Sequence, residues 1–321
     1  MRINLQETAE YFLNNDNFLL LCHESPDGDT VGSATALAHA LNAGGKKVNI
    51  LCSDTFTKDF EFMFEGLELS QDACEHIVAV DVADPRLLGR EYEALYADKV
   101  EVCIDHHASN VIYAAKTYLE PDSASAAEMV YLLLEEMKAE ITPVIASCLF
   151  TGVSTDTGCF RFSNTTVRTF QIAAKLVEYG ADSYNIIQTF FETKTKTYAA
   201  LEKLAVSGMQ FFFDDRCAII YVTQDMYKKS GSNETETTKL ANIPRQIEGV
   251  RVGVLMKELS DGSFKASVRT HGEIDASAIC KRLGGGGHAG AAACTINAGK
   301  NKATKLLLKE IGAELGEEVN I

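Results

Sequence analysis

Apolar and polar positions in the first third of the chain come in a repeating order. Short apolar runs at 18–22, 48–52, 77–80 and 100–104 predict strands. A helical pattern at 30–41 separates the first two. This alternation predicts a parallel, doubly wound sheet. Ligands of such sheets bind beyond the carboxyl ends of the strands, near a topological switch point.

From residue 123 to 204 the pattern is mainly helical. Ser125 and Glu128 have capping-box spacing, which predicts a helix start. Pro143 suits the first turn of a helix expected to run to Val153, with Thr155-Asp156-Thr157-Gly158 ending it. Further helices are predicted over 167–178 and 194–205. Strands return at 210–213, 217–222, 251–258 and 264–269, with Asp261-Gly262 as a hairpin signal between the last two. The polar stretch 230–238 is expected to be a loop or a frayed helix start. A helix at 276–282, a glycine run at 284–287, a strand at 291–296 and an amphipathic C-terminal helix complete the chain.

The 321 residues exceed what one hydrophobic core usually organises, so two domains are expected. The expected fold class is α/β. A doubly wound, mostly parallel sheet occupies 1–195, a helical linker 196–209, and a smaller α/β domain 210–321. The active site is expected in the cleft between the two domains.

Eight polar residues in four patches carry the chemistry: His23, Asp27 and Asp29; Asp81; Asp105, His106 and His107; and Asp156. Most follow apolar runs, so the predicted topology brings them to one end of one sheet. Carboxylates gathered in such numbers repel each other, and buried charges persist only when paired or bound to metal. A pair of divalent cations resolves the conflict, and a two-metal cluster acts on phosphoryl groups. Pro26 and Gly28 permit a tight turn between His23 and Asp29. Adjacent side chains of an extended segment point opposite ways. His106 and His107 therefore do different jobs, one free to ligate metal while the other faces substrate.

A second signal is Gly284-Gly285-Gly286-Gly287-His288. Consecutive glycines let backbone N–H groups approach an anion closely. The order around the run, helix before and strand after, argues against a dinucleotide fold, and no G-K-[ST] follows to make a P-loop.

Composition narrows the partners. The net charge of −15 is a poor match for long nucleic acid, whose binding needs many Lys and Arg contacts to phosphate. Cysteines at 22, 52, 74, 103, 148, 159, 217, 280 and 294 form no C-x-x-C pair, which points to reduced thiols and a cytoplasmic location. The N-terminal sequence is too polar for a signal peptide, and no apolar run approaches the roughly 18 residues of a membrane span. The sequence leaves oligomeric state open, a homodimer being compatible with it.

Together, H-x-x-x-D-x-D, a strand-end Asp, Asp-His-His and a later Asp resemble the DHH phosphoesterase family over about residues 1–195. The resemblance implies two Mn²⁺ ions. His23 and Asp27 would bind one, Asp29, His106 and Asp156 the other, and Asp81 both. It implies that Asp105 orients His106, and that His107 contacts the scissile phosphate and protonates the leaving oxygen. The glycine run resembles the GGGH signature of the DHH-associated C-terminal domain, which implies substrate binding by Gly285, Gly286, Gly287 and His288. Arg269, in an S-x-R setting, matches that domain's substrate-binding arginine. A two-domain chain of this length is similar to the nano-RNase/pAp-phosphatase subgroup. That implies short RNA oligonucleotides and 3′-phosphoadenosine 5′-phosphate as substrates. Rivals are a di-adenylate phosphodiesterase, a single-strand DNA exonuclease and a Mn²⁺ pyrophosphatase. The glycine run argues against the last. A nucleotide-binding regulator is the non-enzymatic alternative.

Overall fold

Two compact units, Met1–Thr193 and Lys194–Ile321, make up the computed structural model. It describes residues 1–317, with the side chains of Thr235, Thr238 and His288 outside the described set.

The first unit is built on six strands: β1 (Arg2–Ile3), β2 (Phe18–Leu21), β3 (Val48–Leu51), β4 (His76–Val80), β5 (Val102–Asp105) and β6 (Lys116–Leu119). They pair in the order β1-β6-β5-β4-β2-β3. Every pairing is parallel. All four residues of β2 are buried, as are all four of β5. A strand covered on both faces carries a continuous apolar run, and these are the runs the sequence displays. From β2 the chain moves outward to β3, then crosses back to β4 and continues to β5 and β6. The switch point therefore lies between the carboxyl ends of β2 and β4.

Two helices line up over this point. The helix Gly28–Ala43 is buried at every position from Gly28 to Leu41, and the helix Pro143–Asp156 from Ile145 to Ser154. A helix buried on all sides belongs between layers, and here small residues let the two backbones meet. A Cβ at Gly32 would fall 2.3 Å from the Cys148 carbonyl oxygen. A Cβ at Gly152 would fall 2.5 Å from Ala127 Cβ and 2.8 Å from Asp29 Oδ1.

The element boundaries depart from expectation where polar residues satisfy themselves locally. The helix expected to stop at Val153 runs on to Asp156. Thr151, Thr155 and Thr157 return their hydroxyls to carbonyls four residues back, so polar side chains there do not break it. The helix expected from Thr30 begins at Gly28, with Asp27 as its N-cap. The opening helix Leu5–Asn14 and the strands β1 and β6 were not expected. The helix carries a capping box between Asn4 and Glu7, a signal present in the sequence.

The second unit holds a six-stranded mixed sheet: β7 (Gln210–Phe212), β8 (Cys217–Val222), β9 (Val252–Glu258), β10 (Phe264–Thr270), β11 (Gly286–His288) and β12 (Ala291–Ile296). The order is β11-β12-β10-β9-β8-β7, parallel only between β8 and β9. One face packs on the helices Ala276–Lys281 and Lys300–Leu315. The helix Lys196–Ser207, whose segment was expected to act as a linker, packs Tyr198, Leu201 and Ala205 against Ile220 and Val222. Part of the glycine run is an edge strand rather than a loop: Gly286, Gly287 and His288 pair with Ala293, Ala292 and Ala291. Among the described residues, no helix is long and apolar enough to cross a membrane.

The Gly32 contact leaves no room for a side chain. We expect Gly32→Ala to cost about 1–3 kcal/mol through overpacking, read as a lower urea midpoint with an unchanged slope.

Candidate metal centre

Each functional side chain of the first unit is delivered by a local feature near the switch point. His23 lies two residues beyond β2. Its Nδ1 faces the Glu24 carbonyl at 2.7 Å, and its Nε2 lies 3.7 Å from Asp27 Oδ1 and 3.8 Å from Asp81 Oδ2. Asp27 caps its helix by accepting from the N–H groups of Asp29 (2.9 Å) and Thr30 (3.1 Å). Asp29 is fully buried in the first turn. Its Oδ2 accepts from the Ala126 N–H at 2.7 Å and its Oδ1 from Ala127 at 2.9 Å, at the start of the helix Ala126–Glu136. A helix N-terminus favours a carboxylate.

Asp81 follows β4 directly and has φ 61°, in the left-handed region. Its N–H still donates to the Ile104 carbonyl at 2.8 Å, so the chain leaves the sheet in a single residue. Aspartate tolerates this conformation better than most side chains. Thr30 ties the helix Gly28–Ala43 to the same spot by donating its hydroxyl to the Val80 carbonyl at 2.8 Å.

Asp105 ends β5 fully buried. Its Oδ1 accepts from His107 Nδ1 at 2.8 Å and from the His106 N–H at 2.9 Å; its Oδ2 accepts from Asn110 at 2.6 Å. The expected orientation of the His106 ring by Asp105 is thus corrected. The Asp105 carboxylate holds the His107 ring, and His106 Nδ1 faces the Ser123 carbonyl at 3.2 Å. Successive residues turn their rings differently, so one carboxylate reaches only the second imidazole.

His106 Nε2 lies 3.2 Å from Asp156 Oδ2, 3.6 Å from Asp81 Oδ1 and 3.8 Å from Asp29 Oδ2. The structure brings the seven residues His23, Asp27, Asp29, Asp81, His106, His107 and Asp156 into three overlapping donor sets. These are His23–Asp27–Asp81, Asp29–His106–Asp156 and Asp81–His106–His107, with donor atoms within 4.8 Å of one another in each.

These residues fit divalent cations on physical grounds. His106 Nε2 and Asp81 Oδ1 are both buried without a hydrogen-bond partner, which native structures rarely tolerate. With Nδ1–H of His23 and of His106 directed at carbonyls, each Nε2 carries a lone pair that faces carboxylate oxygens. Acceptors facing acceptors need a proton or a metal cation between them, and a divalent cation satisfies several at once. Oxygen-rich donors with imidazole suit Mn²⁺ or Mg²⁺ rather than a thiolate-seeking metal.

The charges record the same conflict. Burial, then the Asp27 charge, pushes the Asp29 carboxyl up to about 7. Burial and the neighbouring aspartates raise Asp81 and Asp156 well above the ordinary range. Burial and the adjacent His107 lower His106, which favours the neutral, ligating form. Burial also opposes charge on His107, but its hydrogen bond to Asp105 prevails and raises it.

Comparison with known proteins places this geometry. A DHH family N-terminal domain model matches residues 17–153, and a DHHA1 domain model matches 214–317. A Thermus thermophilus protein named bifunctional oligoribonuclease and PAP phosphatase NrnA is 31% identical over 280 residues, covering 85% of this chain and 82% of the relative. The chain belongs to the DHH family. It is a metal-dependent phosphoesterase. A Bacillus subtilis relative of the same name is 25% identical, covering 88% of this chain and 90% of its own. A solved exopolyphosphatase-related protein from Bacteroides fragilis superposes with a TM-score of 0.89 at 23% identity, covering 96% of this chain and 95% of that one. That last likeness concerns the fold alone.

In the DHHA1 domain, Arg269 is half-buried on β10, and its Nη1 donates to the Val268 carbonyl at 3.1 Å. Burial and the nearby Arg245 charge press its pKa down. Arg269 stands in cross-strand register with Gly253 on one side and Ala291 on the other. The glycines divide in two. Gly285 and Gly287 pack so tightly on β12 that a Cβ would fall 2.1 Å from the Ala293 carbonyl and 2.6 Å from that of Ala291. A Cβ at Gly286 would meet only open space. The side chain of His288 lies outside the described residues.

Sequence reasoning missed the groups that hold the donor residues, the Ser123 carbonyl and the Ala126 and Ala127 N–H groups, as well as Asn110, which holds Asp105. The capping-box pattern at Ser125 marked the helix start that holds Asp29, but only the fold reveals what that start faces.

Raised carboxyl pKa values make a pH prediction. Between 3.8 and about 7 the folded, metal-free protein binds a proton at Asp29 that the unfolded chain releases. Its stability is therefore full at the acid end of this window and falls as pH rises. Asp81 and Asp156, raised in the same direction, add to the loss. We expect the melting temperature of chelator-stripped protein to drop from pH 5 to pH 8, and saturating Mn²⁺ to remove most of the drop. A metal-free melting temperature that rises with pH would contradict the reading.

Proposed function

We propose that this chain hydrolyses short oligoribonucleotides to mononucleotides and removes the 3′-phosphate of 3′-phosphoadenosine 5′-phosphate in the cytoplasm, using two Mn²⁺ ions. The observation that carries the proposal is the chain of donor sets that links His23–Asp27–Asp81 to Asp29–His106–Asp156 through Asp81 and His106, on a chain with a 31%-identical relative named for those two activities.

Bound cations supply acidity to an attacking water and positive charge to the phosphoryl oxygens. His23 and Asp27 hold one position, Asp29, His106 and Asp156 the other, and Asp81 serves both. His107, fixed at Nδ1 by Asp105, presents its imidazole to the leaving oxygen. Its raised pKa favours the protonated form, which can donate to that oxygen. Arg269, Gly285, Gly286, Gly287 and His288 hold a substrate phosphate or base.

Charge distribution supports a short substrate. Residues 1–193 carry 12 basic against 30 acidic residues, net −18, whereas 194–321 carry 18 against 15, net +3. Long nucleic acid finds no basic track on the metal-binding unit. The mildly basic second unit suits local capture of a few phosphates. The nine free cysteines support a reducing compartment.

The deciding experiment is a substrate panel on chelator-stripped enzyme with Mn²⁺ restored: RNAs of graded length, 3′-phosphoadenosine 5′-phosphate, linear and cyclic di-adenylate, and pyrophosphate. Turnover confined to di-adenylates or pyrophosphate would reject the proposal. Asp81→Asn should cost more than roughly 100-fold in kcat and release Mn²⁺, exceeding the loss typical of residues behind a ligand. His107→Ala should lower kcat by roughly 10²–10⁴-fold with Mn²⁺ retained, and an unchanged kcat would remove its assigned role.

A further inference from the structure

The segment joining β6 to the helix Ala126–Glu136 carries none of the assigned residues, yet it reaches ligands from three elements. The Ser123 carbonyl faces His106 Nδ1 at 3.2 Å. The Ala126 and Ala127 N–H groups bond the two oxygens of Asp29 at 2.7 and 2.9 Å. The Ala124 carbonyl accepts from Asn164 Nδ2 at 2.9 Å, and the same amide donates to the Asp156 carbonyl at 3.2 Å. One short stretch of backbone therefore sets the mutual alignment of Asp29, His106 and Asp156.

Two side chains hold that stretch. Glu128 is fully buried. Its Oε2 accepts from the Ala124 N–H at 3.2 Å, the Ser123 hydroxyl at 3.2 Å and Arg168 Nε at 3.3 Å. A carboxylate kept from water at this depth is costly unless its partners are in place, so it fixes them in turn. Asn164 bridges the stretch to Asp156 at the helix end. Among the described residues, His23 and Asp27 bond neither Glu128, nor Asn164, nor the backbone at 123–127; their partners include Glu24, Asp81 and the backbone at 29 and 30.

We propose that Glu128 and Asn164 are positioning residues that align Asp29, His106 and Asp156 as one ligand set, leaving the His23–Asp27 position to form independently. The proposal rests on the two-cation reading. Its consequence is selective: loss of either residue loosens one cation and spares the other.

The test is Mn²⁺ binding to the full, chelator-stripped chain, followed by calorimetry for the unaltered protein, Glu128→Gln and Asn164→Ala. The unaltered chain should bind two ions. In each variant one dissociation constant should rise roughly 10–100-fold, the range for residues that orient ligands, while the other stays constant. Turnover should fall at low Mn²⁺ and recover at high Mn²⁺. The metal-free melting temperature of Asn164→Ala should stay close to that of the unaltered chain. Should Glu128→Gln fail to fold, the half-buried Asn164 decides the matter alone. Unchanged affinities, or equal weakening of both ions with lower metal-free stability, would overturn the positioning role. Failure of the unaltered chain to bind two ions would instead overturn the metal-centre reading beneath it.

Discussion

Electrostatic repulsion among buried aspartates governs this protein. Asp29, Asp81 and Asp105 are each at most 3% exposed, and Asp156 meets them across the imidazole of His106. Acids gathered at such depth hold protons, accept hydrogen bonds or bind cations. Asp105 takes the second course, with donors on both oxygens. Asp29 has two backbone donors and still sits high, because burial and then the Asp27 charge outweigh them. Asp81 Oδ1 is buried without a hydrogen bond, with the His107 and His106 rings near it, at 3.4 and 3.6 Å. Divalent cations relieve this frustration, and the same cations make the site useful to a phosphoryl substrate.

The rest of the first unit keeps those acids close. A parallel sheet sends all its carboxyl ends the same way, and the order β5-β4-β2 places the ends bearing Asp105, Asp81 and His23 side by side. The buried helices Gly28–Ala43 and Pro143–Asp156 bring Asp29 and Asp156 to the same point. Gly32 and Gly152 make that approach possible. Backbone contact at two glycines is how a packing constraint becomes a constraint on ligand spacing.

The two units divide the chemistry by charge. The metal-binding unit is strongly acidic, whereas the DHHA1 unit carries a small excess of bases. Under the proposed function, a phosphate is drawn to the first chiefly through its cations and to the second through Arg269 and the glycine strand. Specificity then resides in local contacts rather than a long-range field, since exposed charges are screened beyond about 10 Å at ordinary salt.

Much of this was legible in the chain itself. Apolar runs ending in His23, Asp81 and Asp105 declare a parallel sheet and put chemistry at its strand ends, because periodicity and strand-end position are local properties. Asp-His-His and the glycine run carry the family by residue identity alone. Partner choice is different. Asp105 serves His107 and not His106, Asp29 rests on the start of a helix 97 residues away, and Gly285 and Gly287 are small because β12 lies against them. Those facts depend on which backbone groups come within about 3 Å after the layers pack. Sequence spacing contains no such distance, so only the folded chain could decide them.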